Sequence, residues 1–288
     1  MIPHEFNVDP ASMAGPLRAK LRLIREAGFA QTMVWAEDLV AHPAGVDEAV
    51  AEVRASGLRI SALQLLRDFE GRSGSSHTYK VEIAKDMLKL CRAVGTRMLI
   101  VCAATQPGVD ADRAITGLRT LANLAVPLGV RIGYKALPWA SVARDVAQAW
   151  ETCLQVDHSN FGLVLDSAHM LIGTGARSIP EEIDPLRIAL VQLADFAELI
   201  PEADSERRRI ANHVRVFPGD GEHSGALAAI VRELDHRGYR GEYSLLVMND
   251  DYRQLPATTF IDHARRSVTW IAEQMLRRGL PLRTLRAG

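Results

Sequence analysis

Five times along this chain a helical stretch stops at a glycine and, within a few residues, becomes an apolar β-type run. The segments are EAGFAQTMV (26–34), ASGLRISAL (55–63), AVGTRMLIV (93–101), PLGVRIGYK (127–135) and HRGYRGEYS (236–244). A glycine just past a helix end takes the left-handed conformation at little cost, and a short loop then feeds the next strand. Repetition of this unit is the pattern of successive strand–helix units around a parallel sheet.

The strand-like runs are QTMVW (31–35), ISALQLL (60–66), MLIVCA (98–103), RIGYKAL (131–137), FGLVLDS (161–167), IALVQLAD (188–195) and YSLLVM (243–248). Several are continuous rather than alternating, as expected of parallel strands covered on both faces. Helical patterns fill residues 16–27, 47–55, 79–94, 110–128, 227–236 and 259–278. Seven strands are explicit, and residues 4–8 are the candidate for an eighth. The fold expected is therefore α/β, a (β/α)8 TIM barrel in a single domain over residues 1–288. Residues 1–15 and 281–288 are expected to be loose termini. A doubly wound open sheet is the alternative, weakened because no GxGxxG follows the first strand.

Apolar residues make up 48% of the chain, so a large core needs no disulfides. With 34 basic and 35 acidic residues, the formal net charge is −1, which argues against a broad nucleic-acid surface. The one dense basic run, Arg207-Arg208-Arg209, follows Glu202, Asp204 and Glu206 and reads as a solvated helix face. Cys91, Cys102 and Cys153 sit in apolar surroundings with no metal-type spacing, which suits buried free thiols in a reducing compartment. No signal peptide or membrane-length apolar run is visible, so a cytoplasmic protein is expected. A homo-oligomer formed through Trp270 and Met275 is an alternative to their packing against the barrel.

In a barrel of this type the active site lies at the carboxyl ends of the strands. Polar residues at those ends are Gln64, Arg67-Asp68-Phe69-Glu70-Gly71, Lys135 with Trp139, Asp166-Ser167 with His169, Gln192 with Asp195, His213, Arg215, Gly219-Asp220-Gly221 and Asn249-Asp250-Asp251. Asp166 stands out, because a carboxylate ending an apolar strand needs a cation, a metal or several N–H donors. Lys135 makes the same demand with the opposite sign. Bland readings remain for the others: a loop ion pair at Arg67, a structural histidine at 169, a tight turn at 219–221.

Together LQLLRDFEG (63–71), LIVCA (99–103), GVRIGYKALPW (129–139), HSNFGLVLDSAHML (158–171), VQLAD (191–195), RVFPGDG (215–221) and GYRGEYSLLVMND (238–250) resemble the xylose-isomerase-like sugar phosphate isomerase/epimerase superfamily. The likeness runs from about residue 20 to 253 and is closest to the 3-dehydroshikimate dehydratases. The resemblance implies a site with one divalent metal on four strand-end ligands: Glu, Asp, Gln or His, and Glu. Here Asp166 and Gln192 match the second and third. The first has become Lys135 and the fourth falls at Leu246, so the metal site is degenerate.

Charge decides the cofactor question. A protonated lysine offers no lone pair and repels a second cation. No tightly bound metal is expected, weakly held Mn²⁺ or Mg²⁺ being the lesser alternative. The expected partner is a small molecule, with no nucleic acid and no membrane. The expected activity is a metal-independent lyase (dehydratase) or isomerase acting on a small polyhydroxy ketone or carboxylic acid. Lys135 would stabilise a developing enolate, paired with Asp166. His169 would move protons. Gln192, His213, Arg67 and Arg215 would bind substrate, the arginines clamping a carboxylate or phosphate. A Schiff base on Lys135 is a variant that the neighbouring Asp166 opposes. The alternative from another class is a catalytically inactive, metabolite-binding or regulatory homologue. Abasic-site endonucleases share the superfamily, but the metal ligands and basic groove they need are absent here.

Overall fold

The computed structural model describes residues 2–175 and 177–276. Eight parallel strands close into a barrel. They are β1 (Phe6–Val8), β2 (Gln31–Trp35), β3 (Arg59–Leu66), β4 (Met98–Cys102), β5 (Arg131–Lys135), β6 (Phe161–Asp166), β7 (Ile188–Leu193) and β8 (Tyr243–Leu245). Closure comes from β1 pairing with both β8, at Phe6–Tyr243, and β2, at Val8–Thr32. Every residue of β2, β6 and β7 is buried, which explains their unbroken apolar runs.

Helices α1 (Leu17–Glu26), α2 (Ala36–Val40), α3 (Val46–Ala55), α4 (Gly74–Val94), α5 (Ala111–Ala125), α6 (Val146–Val156), α7 (Ser167–Gly173), α8 (Asp204–His213), α9 (Ser224–His236) and α10 (Ala257–Trp270) surround the barrel. The glycine punctuation works as the sequence implies. After α4, Gly95 has φ +82°, its N–H donates to Arg92 O, and the Thr96 N–H reaches back to Cys91 O. That double closure satisfies carbonyls the helix end leaves open. Short α2 and α7 have no sequence signature, being under two turns each.

The amino terminus supplies the eighth strand expected within residues 4–8, but it departs from the expectation of a loose end. Residues 2–15 are not a loose end: Phe6 and Val8 are fully buried in β1, and a 3-10 turn over Pro10–Ser12 is capped by Asp9. Without this strand the sheet would keep two open edges, so its three residues are held by pairing on both sides. At the other end, Trp270 packs against the core and Met275 is buried within it, favouring core packing over an interface. The expectations for residues 277–278 and for the tail 281–288 lie outside the described residues. Among the described residues no helix is long and apolar enough to cross a membrane. All three cysteines are buried and unbridged, and burial pushes the Cys91 and Cys153 thiols up to about 12.

Strand alternation sorts the barrel interior into layers. Met33, Ala62, Ile100, Val164, Ala189 and Leu190 form an apolar cluster separate from the main core. One turn of the pleat further along, each strand end contributes one residue to a ring: Asp9, Trp35, Gln64, Cys102, Lys135, Asp166, Gln192 and Leu246, all buried. An antiparallel hairpin of Asp195–Phe196 and Arg215–Val216 frames α8 and carries Arg215 back to this ring.

Candidate active site

Lys135 ends β5 and is 3% exposed. Its Nζ donates to Gln192 Oε1 at 2.7 Å and to Asp166 Oδ2 at 3.1 Å. Among the described residues its third N–H has no partner, and Lys135 lines a cavity of about 290 Å³. Asp166, Arg144, His169, Thr174 and Ser178 also line that cavity, which is at the small end for ligand pockets.

Asp166 is fully committed. It caps α7 by accepting the His169 N–H at 3.2 Å on Oδ1. Arg215 Nη1 donates to Oδ1 at 3.1 Å and Oδ2 at 3.2 Å. Burial alone would raise this carboxyl, but the Arg215 and Lys135 cations outweigh it and hold Asp166 well below the usual carboxylate range. Arg215 is 1% exposed and spends its Nε–H on Ala211 O. Its Nη2–H meets His169 Nε2 at 2.9 Å. A guanidinium only donates, so Nε2 must accept and the imidazole proton sits on Nδ1. Burial, reinforced by the Arg215 and Lys135 charges, pushes the imidazole's protonation well below its ordinary range, so His169 is neutral. Among the described residues its Nδ1 lies 3.3 Å from Asp166 Oδ2 and makes no hydrogen bond of good geometry, the Ala136 backbone being a weak further neighbour of the ring. Trp139 packs edge-on against the imidazole at 5.5 Å, with Arg208 over the indole at 5.4 Å. The basic run on α8 is therefore not wholly a solvated face.

On the opposite side of the ring the partners are neutral. Gln192 Nε2 donates to Gln64 Oε1 at 3.1 Å, and Gln64 Nε2 donates to Asp9 Oδ2. Asp9 Oδ1 also accepts the Trp35 indole N–H at 2.8 Å and the Ala11 N–H at 2.9 Å. Burial dominates these contacts and raises the Asp9 carboxyl to about 6.

The fold thus brings Lys135, Asp166, His169, Gln192 and Arg215 together. It leaves Arg67 exposed at the mouth, near enough for Cys102 to feel its charge. His213 is about half exposed and pairs with Asp250 at 2.9 Å, outside the buried network. Arg215 is spent on internal partners rather than held open for a ligand. Asp68 and Glu70 are loop fasteners: Asp68 accepts from Thr105, and Glu70 from the Ala104 N–H and the Tyr134 hydroxyl. Asp195 accepts the N–H groups of Phe196 and His223 and the Ser224 hydroxyl, and a Cβ at Gly221 would collide with it. Sequence reasoning misses Asp9, because the residue falls within the expected loose terminus. The signal is present, since Asp9 too is a carboxylate ending an apolar strand.

The residues present do not fit a divalent metal. Asp166 and Gln192 turn their oxygens to the Lys135 ammonium, and Leu246 offers no donor. Among the described residues no three His, Cys, Asp or Glu side chains converge as ligands.

The model of the family described as xylose isomerase-like TIM barrel matches residues 21–274. The 3-dehydroshikimate dehydratase of Pseudomonas putida is 33% identical over 271 residues, covering 93% of this chain and 42% of that protein. Inosose isomerase of Bacillus subtilis is 25% identical over 214 residues, 72% of this chain and 73% of that protein. Among solved structures, a xylose isomerase-like TIM barrel/4-hydroxyphenylpyruvate dioxygenase fusion protein superposes with a TM-score of 0.86. It is 30% identical over 96% of this chain and 45% of that one. The chain therefore spans about two-fifths of the length of the dehydratase it matches.

Proposed function

The chain belongs to the xylose isomerase-like TIM-barrel family, and on that premise we propose that it is a lyase or isomerase that enolises a small polyhydroxy ketone or keto acid without a tightly held metal. The observation that carries this reading is the Lys135 ammonium, held by Asp166 and Gln192 on a residue that lines the cavity, with a third N–H that has no partner among the described residues. A substrate carbonyl accepting that N–H is polarised by a fixed cation in a site of low dielectric, where such a contact is worth more than in water.

Proton transfer falls to His169. Its Nε2 lone pair becomes a base only when Arg215 Nη2 turns elsewhere. A substrate carboxylate would have to draw that guanidinium, 1% exposed and bound to Asp166, off the imidazole, and a charge-assisted pair is stronger than a bond to neutral imidazole. Binding an acid substrate would thereby free the base. Nε2 then takes the proton α to the carbonyl, and Lys135 stabilises the enolate oxygen. The β-hydroxyl leaves with a proton as water in a lyase, or the proton returns to the neighbouring carbon in an isomerase.

A second reading, binding without turnover, is supported by the same contact: in the structure the His169 imidazole already has its lone pair occupied. The two separate in one assay. Protein stripped with chelator is offered 3-dehydroshikimate and an inosose, with and without Mn²⁺. Metal-independent turnover lost in Lys135→Met supports the enzyme. Turnover that appears only with Mn²⁺ overturns metal independence, and ligand binding with no turnover in any arm selects the second reading.

A further inference from the structure

We propose that Asp9 is a positioning residue: as a carboxylate at the far end of a hydrogen-bonded chain, it fixes which way the Gln64 and Gln192 amides face and so keeps an acceptor against Lys135. The proposal rests on Lys135 being the polarising group.

The chemistry of the two ends sets the direction. An ammonium only donates, so Gln192 must present Oε1 to Lys135. Its Nε2 then faces Gln64, which must present Oε1, and the Gln64 Nε2 then needs an acceptor. Asp9 supplies one only as a carboxylate. Each amide has nearly the same shape when turned over, so sterics alone do not hold its direction. A turned Gln192 would set N–H against the ammonium, leaving Lys135 with Asp166 alone and drawing it out of the cavity. Asp9 is faced by Trp35 from β2, the Ala11 N–H from the 3-10 turn and Gln64 from β3, with Lys135 from β5 and Asp38 of α2 acting at longer range. The sum of Asp9, Lys135, Asp166 and Arg215 is zero charge in one buried layer, with His169 neutral.

A purely structural Asp9 would cap the 3-10 turn and anchor Trp35. Asparagine does both about as well, because it keeps one carbonyl oxygen and is an equally good cap. Only the direction of the chain is lost. The test therefore uses Asp9→Asn in the full chain. In wild type, the Gln64 and Gln192 side-chain N–H₂ signals, assigned by ¹⁵N-glutamine labelling and single Gln→Leu variants, should be shielded from water exchange. In Asp9→Asn that exchange should rise at least tenfold, and kcat should fall about tenfold with KM within about threefold, the size of one misdirected buried hydrogen bond. Adding Gln64→Glu to Asp9→Asn moves the carboxylate one link along the chain and should restore both readouts. If Asp9→Asn does not fold, Gln64→Leu replaces it, and breaking the chain there should lose both the protection of Gln192 and the rate. Unchanged exchange in Asp9→Asn, or no rescue by the second substitution, overturns the proposal. Exchange that behaves as stated while Lys135→Met keeps full turnover would leave the chain standing and overturn the reading of Lys135.

Discussion

Asp9 and Asp166 sit on the same ring, both buried, on opposite sides of Lys135, and their carboxyls shift in opposite directions. The Asp166 side is ionic: two cations touch it directly. The Asp9 side is dipolar: an indole, an amide and a backbone N–H meet it, and the nearest full positive charge lies two amides away. Three neutral donors soften the desolvation of a carboxylate but do not cancel it, whereas contact cations do. The same residue type therefore anchors charge on one side and is a strained anion on the other.

The largest expected effect breaks this contrast if it fails. Asp166→Asn leaves Arg215 and Lys135 buried without a counter-charge and should cost about 3–5 kcal/mol in urea unfolding. Asp9→Asn should cost no more than about 1 kcal/mol at pH 7.5. Equal losses would mean that the two sides do not differ.

Acid titration sharpens the contrast. The folded-state pKa of Asp9 is raised from 3.8 to about 6, so the fold favours its protonated form. That contribution to stability is complete below about pH 4 and lost as pH rises through 6. The loss amounts to about 3 kcal/mol. Wild type minus Asp9→Asn, measured by chemical unfolding from pH 4 to 7.5, should show a difference that grows against wild type with pH. Asp166 works the other way: its stabilisation is present above pH 4 and lost only under stronger acid. A flat difference curve would remove the strained-anion description of Asp9.

Introducing carboxylates at 135 and 246 tests whether the ionic side can be made to hold a metal. Lys135→Glu with Leu246→Glu should bind Mn²⁺ at one per chain by calorimetry where wild type binds none tightly. Failure to do so would mean that strand-end geometry, and not the lysine alone, excludes the ion. The smallest effect belongs to the apolar layer just beneath. Ile100→Val should cost about 1 kcal/mol and leave kcat unchanged, because that layer is specified by volume rather than direction. A drop in kcat there would show that packing below the ring also sets its geometry.

Much of the site is legible strand by strand. A lysine within RIGYK and an aspartate closing FGLVLD are conspicuous, because an isolated charge in a buried run demands a partner. What each side chain does with its valence is not legible. Arg215 and His213 are two residues apart at the end of α8, yet the hairpin turns one into the ring and leaves the other half exposed beside Asp250. Asp9 is hidden because the candidate strand at 4–8 is too short to show which residue ends it on the barrel's interior face, and only pairing to β2 and β8 fixes that.

By itself, then, the sequence determined the repeating units, the barrel and the buried lysine at position 135, since all of these are written in local pattern and residue type. The tertiary structure alone decided that Lys135 faces Gln192 as well as Asp166, that Arg215 occupies the His169 lone pair, and that the chain of amides ends on Asp9. Those facts depend on the direction of hydrogen bonds between residues as far apart as 64 and 192. Direction is a property of side chains converging in space, and no spacing along the chain encodes it.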